Sequence, residues 1–283
     1  MKRTLSIILA VITVLSTLIA FASCSKVDAS ADLDNVKERG KIVVGMECAY
    51  APYNWTQPDS NEYTVKLPSG AYADGYDVQI AKKIATYLGV ELEIQAIEWD
   101  GLLPALESGG IDMIIAGMSP TEERKLSIDF SDTYFDSNLV MVVRKDGAYA
   151  SASTLGDFAG ARITAQQNTF HYTVIEQISG VAKQTALQDF AALMQALSSG
   201  AIDGYVCEKP GAVSAVASNP DFAFVEFEDG KGFACDPAES SISVGVRKGS
   251  SLTAESNKVL AGISKTDREA LMDAAIARQP AED

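Results

Sequence analysis

The chain has 283 residues, 47% hydrophobic and 22% charged, a balance that supports a packed core and excludes a disordered or fibrous protein. Its 38 acidic and 23 basic residues leave a net charge of −15, which argues against a phosphate-tracking surface, so nucleic acid is not an expected partner. A single histidine, His171, excludes multi-histidine metal centres and HExxH hydrolases, and neither a GxxxxGK[ST] loop nor a GxSxG elbow occurs; no metal, no cofactor and no catalytic group are expected.

Lys2 and Arg3 precede an apolar run from Leu5 to Phe21, and the small residues Ala22 and Ser23 lead to Cys24. This is the pattern of an export signal over residues 1–23, the alternative being an uncleaved membrane anchor, since the run is near the lower limit of a spanning helix. Phe21-Ala22-Ser23-Cys24 resembles a bacterial lipobox, with Phe21 where Leu is usual, and implies acylation of Cys24. The expected product is a lipoprotein on the outer face of the cytoplasmic membrane, with a net charge of about −17 once Lys2 and Arg3 are removed. Residues 24–35 read as a polar tether, and the folded domain is expected to start near Val36. Cys48, Cys207 and Cys235 remain, an odd number that leaves at least one free thiol; buried, unreactive thiols are expected and no pairing is assigned.

Strand-like and helix-like segments then alternate, which predicts an α/β architecture. Lys41 to Met46 is a short apolar strand. Gln57 to Asp74 is polar and carries the turn signal Leu67-Pro68-Ser69-Gly70, the pattern of an inserted surface hairpin. Asp77 to Leu88 places Val78, Ile80, Ala81, Ile84 and Leu88 at helical spacing and ends at Gly89, and Glu91 to Ile97 alternates as a half-buried strand does.

An internal echo follows. Ala105-Leu106-Glu107-Ser108-Gly109-Gly110-Ile111-Asp112 and Ala196-Leu197-Ser198-Ser199-Gly200-Ala201-Ile202-Asp203 match at six positions with an offset of 91. Each copy reads as a helix end, a glycine stop and a strand start, the strands being Met113 to Ala116, ending at Gly117, and Gly204 to Cys207, ending at Glu208. Such spacing suits a duplicated lobe, and ligands of open α/β sheets bind at the carboxyl ends of strands, so Gly117 and Glu208 are expected to face one cleft. After Gly117, Ser119 as N-cap, Pro120 at N1 and Glu122 at N3 read as a capping box. Arg124 then lies early in a helix, where it opposes the macrodipole; either a bound anion such as a carboxylate, or ion pairing with Glu122, Glu123 or Asp129, would offset that cost.

Gly45 to Trp55, Asp74 to Asp77, Glu98 to Leu106, Gly117 to Arg124, Asp129 to Phe135, Ala165 to Phe170, Ser199 to Pro210 and Ser243 to Gly249 together resemble, in order, the signature of the polar amino-acid-binding proteins of ABC importers, the bacterial extracellular solute-binding proteins of family 3. The resemblance implies a two-lobed periplasmic-binding-protein-like fold (type II), each lobe a mixed sheet flanked by helices and joined by a two-strand hinge. Lobe 1 would comprise residues 36–137 plus 242–283 and lobe 2 residues 138–241. It implies a monomer that binds a free L-amino acid and hands it to a membrane permease. By this resemblance Arg124, Ser119 and the backbone amides of Thr169 and Phe170 take the ligand α-carboxylate, while Glu208 and the Gly117 carbonyl take the α-ammonium. Many relatives carry Asp where Glu208 stands, and Asn168 replaces a usual Gly.

Tyr50 and Trp99 match positions that sandwich the ligand side chain, and Glu47 matches one that reaches a distal positive charge in relatives taking cationic amino acids. Arginine, lysine or ornithine is therefore the expected ligand, with glutamine and cystine as competitors. The fold also resembles that of cyclohexadienyl dehydratases, where a cleft carboxylate acts as general acid, a group that Glu208 could supply, and a tethered amino-acid receptor is a third alternative.

Overall fold

A computed structural model describes residues 28–236 and 240–280; the expected signal segment and Cys24 lie outside the described residues. In chain order the strands are β1 (Lys41–Met46), β2 (Ala49–Tyr50), β3 (Asn54–Gln57), β4 (Val65–Lys66), β5 (Tyr72–Asp74), β6 (Glu91–Ala96), β7 (Met113–Ile114), β8 (Ile128–Asp136), β9 (Leu139–Arg144), β10 (Arg162–Thr164), β11 (Ala182–Lys183), β12 (Gly204–Glu208), β13 (Phe222–Val225) and β14 (Ser241–Arg247). They form two five-stranded sheets, ordered β6-β1-β7-β14-β8 and β11-β10-β12-β9-β13, and a four-stranded sheet β2-β3-β5-β4. Each large sheet is mixed: β1 runs parallel to β6 and β7 while β14 is antiparallel to β7 and β8, and β12 runs parallel to β10 but antiparallel to β9. One large sheet is built from residues 41–136 and 241–247, the other from 139–225, so the chain passes between the lobes twice.

The sequence pattern and the structure agree closely in the first lobe. The continuous apolar run of β1 is buried from Ile42 to Met46 because helices cover the sheet on both faces. The first long helix runs Tyr76–Leu88 and stops at Gly89, whose φ of 72° is the left-handed C-cap the sequence signalled. Its N-cap, Gly75, has φ 133° and no room for a side chain: a Cβ there would lie 2.2 Å from the Tyr53 carbonyl oxygen. The expected hairpin is β4–β5, with Val65 opposite Ala73 and the Gly70 N–H donating to the Leu67 carbonyl at 2.9 Å.

The internal echo is repeated in the hydrogen bonding. Gly110 N–H donates to Ala105 O and Ala201 N–H to Ala196 O, both at 2.9 Å, and Gly109 and Gly200 have φ of 79° and 76°. The Asp112 carboxylate accepts from Val43 N–H at 2.8 Å, and Asp203 accepts from Arg162 N–H at 2.9 Å. Each aspartate thus ties the start of its strand to the neighbouring parallel strand. The copies differ beyond that point: β7 ends at Ile114, two residues earlier than its apolar run predicts, whereas β12 extends to Glu208.

Two expectations are corrected. The tether expected over 24–35 is folded from Ala29, with a 3-10 turn at Ala29–Ala31 and a helix at Asp32–Arg39. The cause is Asp32, which is buried and paired with Arg247 at 2.7 Å; Arg247 also donates to the Leu106 and Ile111 carbonyls. A buried ion pair holds only when its remaining hydrogen-bonding capacity is met, and here two carbonyls and the Ser250 hydroxyl, 2.6 Å from Asp32, meet it. Second, the helix near Arg124 spans Glu122–Ser127 and is capped by Thr121, not Ser119. Thr121 serves equally well because it puts Glu122 and Glu123 in the first turn, where acids suit the dipole, and the Ser119 carbonyl accepts from Arg124.

Candidate functional site

The ends of β1, β7 and β12, the loop 165–169 and the two short helices Glu122–Ser127 and Phe170–Val174 bring most of the expected residues into one cleft between the lobes. Arg124 stands at its first-lobe wall. Its Nη1 donates to the Ser119 carbonyl at 2.9 Å and its Nη2 to the Asn168 carbonyl of the other lobe at 3.0 Å. The guanidinium carbon lies 5.1 Å above the Trp99 ring, a cation–π placement. The ion pairs that would make Arg124 a surface residue do not form: Glu122 takes Lys125 at 2.8 Å and Asp129 takes Lys248 at 2.8 Å. Burial pushes the Arg124 guanidinium down to about 10, with Glu123 and Glu208 pulling upward, so it stays charged at neutral pH. Neutral carbonyls hold it in place without cancelling its charge.

Glu208 ends β12 and is 1% exposed. Its Oε2 accepts a short hydrogen bond from the Tyr50 hydroxyl, and its Oε1 lies 3.0 Å from His171 Nε2. Burial drives the Glu208 carboxyl upward, but the His171 charge and the hydrogen bond from Tyr50 outweigh it and hold the group below its ordinary value. It is ionised at neutral pH. Tyr50 joins the lobes: its ring stacks on Phe190 with centroids 4.0 Å apart and packs over Gly117 and Gly211. A Cβ at either glycine would come within 3.2 Å of the tyrosine ring, so small residues at both positions let the ring reach Glu208. Tyr50 is therefore backed by Phe190 while Trp99 lies under Arg124, which gives these two aromatics different neighbours.

Gly117 is held from behind. Its N–H donates to the Tyr134 hydroxyl at 3.2 Å, Tyr134 donates to Asp77 at 2.7 Å, Asn54 donates to Asp77 at 2.8 Å, and Asn54 accepts from Cys48 N–H at 2.6 Å. This buried chain joins the loop carrying Glu47 to the loop carrying Gly117. Desolvation raises the Asp77 carboxyl to about 7, against the lowering effect of its hydrogen bonds with Tyr134 and Asn54.

Glu47 lies at the other end of the cleft. Its Oε1 accepts from Gln166 of the second lobe at 2.9 Å, and its Oε2 is buried without a hydrogen-bond partner. Burial first, and the charges of Asp189, Asp100 and Glu98 after it, raise its carboxyl to about 7, with the Gln166 hydrogen bond opposing. A half-buried acid among three other acids is a place where a positive group gains most.

Thr169 caps the helix Phe170–Val174 in an extended conformation, its hydroxyl donating to the Gln166 carbonyl at 2.7 Å. Asn168 before it has φ 54°, a left-handed conformation that Asn tolerates in place of Gly. Cys48 and Cys207 are buried free thiols near the site and Cys235 is partly exposed; burial pushes the Cys48 thiol up to about 12, so it is inert at neutral pH.

Four contributors had no role in the sequence reading: Gln166, Asp100, Phe190 and His171. Gln166 and Asp100 lie inside motifs that carried the resemblance, and His171 stood out as the lone histidine. Phe190 carried no signal, since an aromatic at the start of a helix reads as ordinary core. Among the described residues no cluster of three or more His, Cys, Asp or Glu side chains is arranged to hold a metal ion, and no helix is long and apolar enough to cross a membrane.

The profile of the bacterial extracellular solute-binding proteins, family 3, matches residues 42–274. The arginine-binding extracellular protein ArtP of Bacillus subtilis (strain 168) is 28% identical over 222 residues, 78% of this chain and 79% of that protein. The ABC transporter glutamine-binding protein GlnH of the same organism is 29% identical over 234 residues, 82% and 78% of the two chains. Among solved structures, an amino acid ABC transporter substrate-binding protein from Streptococcus pneumoniae Canada MDR_19A bound to L-arginine superposes with a TM-score of 0.75 at 27% identity, covering 87% of this chain and 98% of that one.

Proposed function

Because the chain belongs to the bacterial extracellular solute-binding proteins, family 3, we propose that it captures a free cationic L-amino acid, arginine before lysine or ornithine, between its lobes and delivers it to an ABC permease. Capture is binding and not catalysis. A zwitterion can leave water only if both of its charges are paired at once. Arg124 supplies a cation whose charge no carboxylate cancels, with Ser119 and the Thr169 and Phe170 amides beside it for the α-carboxylate. Glu208 and the Gly117 carbonyl take the α-ammonium, and Tyr50 and Trp99 wall the side-chain slot. The cationic preference rests on one observation: Glu47 presents a buried oxygen without a partner among Asp189, Asp100 and Glu98.

Calorimetric titration with L-arginine tests the assignment. Arg124→Ala and Glu208→Ala each lose roughly 2 to 5 kcal/mol of binding, because each leaves a desolvated ligand charge unpaired. Near-native affinity in either variant removes that residue from the site. The chain is further proposed to act as a monomer held to the outer face of the cytoplasmic membrane by acylation at Cys24; Cys24→Ala then releases it in soluble form with arginine affinity unchanged, and retention as an integral membrane protein would overturn the anchor.

A further inference from the structure

His171 is the chain's only histidine and has no part in the ligand contacts proposed above. It is the second residue of the helix Phe170–Val174 and is 5% exposed. Its Nδ1 has no hydrogen-bond partner among the described residues, and Nε2, though 3.0 Å from Glu208 Oε1, meets it at an angle outside hydrogen-bond geometry. What places the ring beside Glu208 is charge and space, not a directed N–H. Neighbouring β12 presents Glu208 and the buried Cys207 thiol. Across the cleft stands the Tyr50 hydroxyl, and Arg124 and Asp77 act on Glu208 at longer range. Beyond its own helix, Glu176 is turned away to Lys183 at 3.0 Å.

Glu208 is thus a fully buried carboxylate with one oxygen taken by Tyr50 and the other facing His171. An α-ammonium placed at the same carboxylate would stand beside the imidazole, with Arg124 a further positive charge nearby. Two adjacent cations sharing one anion out of water repel strongly, because little solvent screens them. The imidazole is the one that can give way, since an imidazolium surrenders a proton far more readily than an amino-acid ammonium does.

We propose that His171 sets the strength of the ammonium subsite by competing with the ligand for Glu208: the imidazolium holds the carboxylate, and an arriving α-ammonium takes its place while one N–H bond of the imidazolium breaks and that proton passes to solvent. The proposal rests on the reading of Glu208 as the ammonium partner. Its consequence is that acid favours release and neutral or alkaline pH favours capture, independently of the ligand side chain.

A chain with one histidine allows a direct test by imidazole 15N resonances, recorded on the full exported chain without a histidine tag at pH 6, with and without saturating L-arginine. The expected result is an imidazolium pattern that changes to that of a neutral imidazole on adding arginine, the protonated fraction falling several-fold. The same protonation state in both samples overturns the proposal. Glu47 also exchanges a proton when a cation binds, so the second measurement uses Glu47→Gln: calorimetry at pH 6 in buffers of different ionisation enthalpy should still show proton release of up to about one per arginine. In Glu47→Gln with His171→Gln the release should vanish, and release that persists also overturns the proposal. Arginine binding by Glu208→Ala separates the two levels. Loss of binding there with an unmoved imidazole defeats only the competition, whereas binding as in the unmodified chain defeats the ammonium reading itself.

Discussion

At the scale of single residues, the cleft is governed by how far each charge is compensated. Arg124 and Glu208 keep their charges because two backbone carbonyls hold the one, and His171 and the Tyr50 hydroxyl hold the other. Glu47 has only Gln166 against the fields of three acids, and its carboxyl is raised to about 7. A guanidinium at its free oxygen would restore ionisation, so arginine binding near neutral pH should release a proton from Glu47 and strengthen as pH rises through 7. Glu47→Gln removes the charge while keeping the shape. It should weaken arginine by roughly 1 to 3 kcal/mol, the scale of a charged hydrogen bond, and hardly alter any weak binding of glutamine. Titration calorimetry with both ligands decides it: arginine affinity indifferent to Glu47→Gln would end the cationic assignment and leave amino-acid binding standing.

At the scale of elements, three consecutive residues of the second lobe do most of the bridging. Gln166 reaches Glu47, Gln167 and Asn168 both donate to Asp100 at 2.7 Å, and the Asn168 carbonyl accepts from Arg124. Asp100→Ala should remove the two outer bonds, and with them one of the three acidic charges around Glu47, while leaving in place every group proposed to touch the ligand. Because Asp100 is exposed and water competes for its partners, the loss should be about 1 kcal/mol, seen in stopped-flow as roughly fivefold faster arginine release at unchanged association; an unaltered release rate would show that these bonds do not help hold the lobes together. None of this bridging was legible beforehand. The local elements were, since β1, the Tyr76–Leu88 helix, the β4–β5 hairpin and both glycine stops of the echo follow from periodicity and capping. A hydrogen bond between residues 67 positions apart, such as Gln167 to Asp100, leaves no periodic trace. The resemblance named the residues lining the cleft, but Phe190 behind Tyr50 depends on how one lobe meets the other. The shift of the helix cap from Ser119 to Thr121 was ambiguous for a different reason: both residues are good caps, and the choice turns on where the Ser119 carbonyl is needed.

At the scale of the whole molecule, the acids that serve the site burden the fold. Asp77 is fully buried and its carboxyl lies near 7 instead of 3.8, and Glu47 lies near 7 instead of 4.5. Both folded-state values exceed the unfolded ones, so between about pH 4 and 7 the native chain binds more protons than the unfolded chain, and stability falls as pH rises through that window. Glu208 is shifted the other way, and its stabilising contribution is already complete above its ordinary range, so it adds no slope between pH 5 and 7. The net charge of −15 adds self-repulsion of the same sign as the two raised acids. The melting temperature should therefore be highest near pH 5 and fall by several degrees toward pH 7.5, each raised acid contributing about 1 kcal/mol per pH unit within its window. Asp77→Asn fixes that site in the uncharged form it holds at low pH, and although it gives up one acceptor to Asn54 or Tyr134, it should flatten the profile by about half. Thermal melts from pH 4.5 to 8 on the unmodified chain and on Asp77→Asn make the comparison. A melting temperature that is level or rising between pH 5 and 7, or a slope unchanged in Asp77→Asn, would mean that the buried network behind Gly117 carries its charge at no expense to the fold.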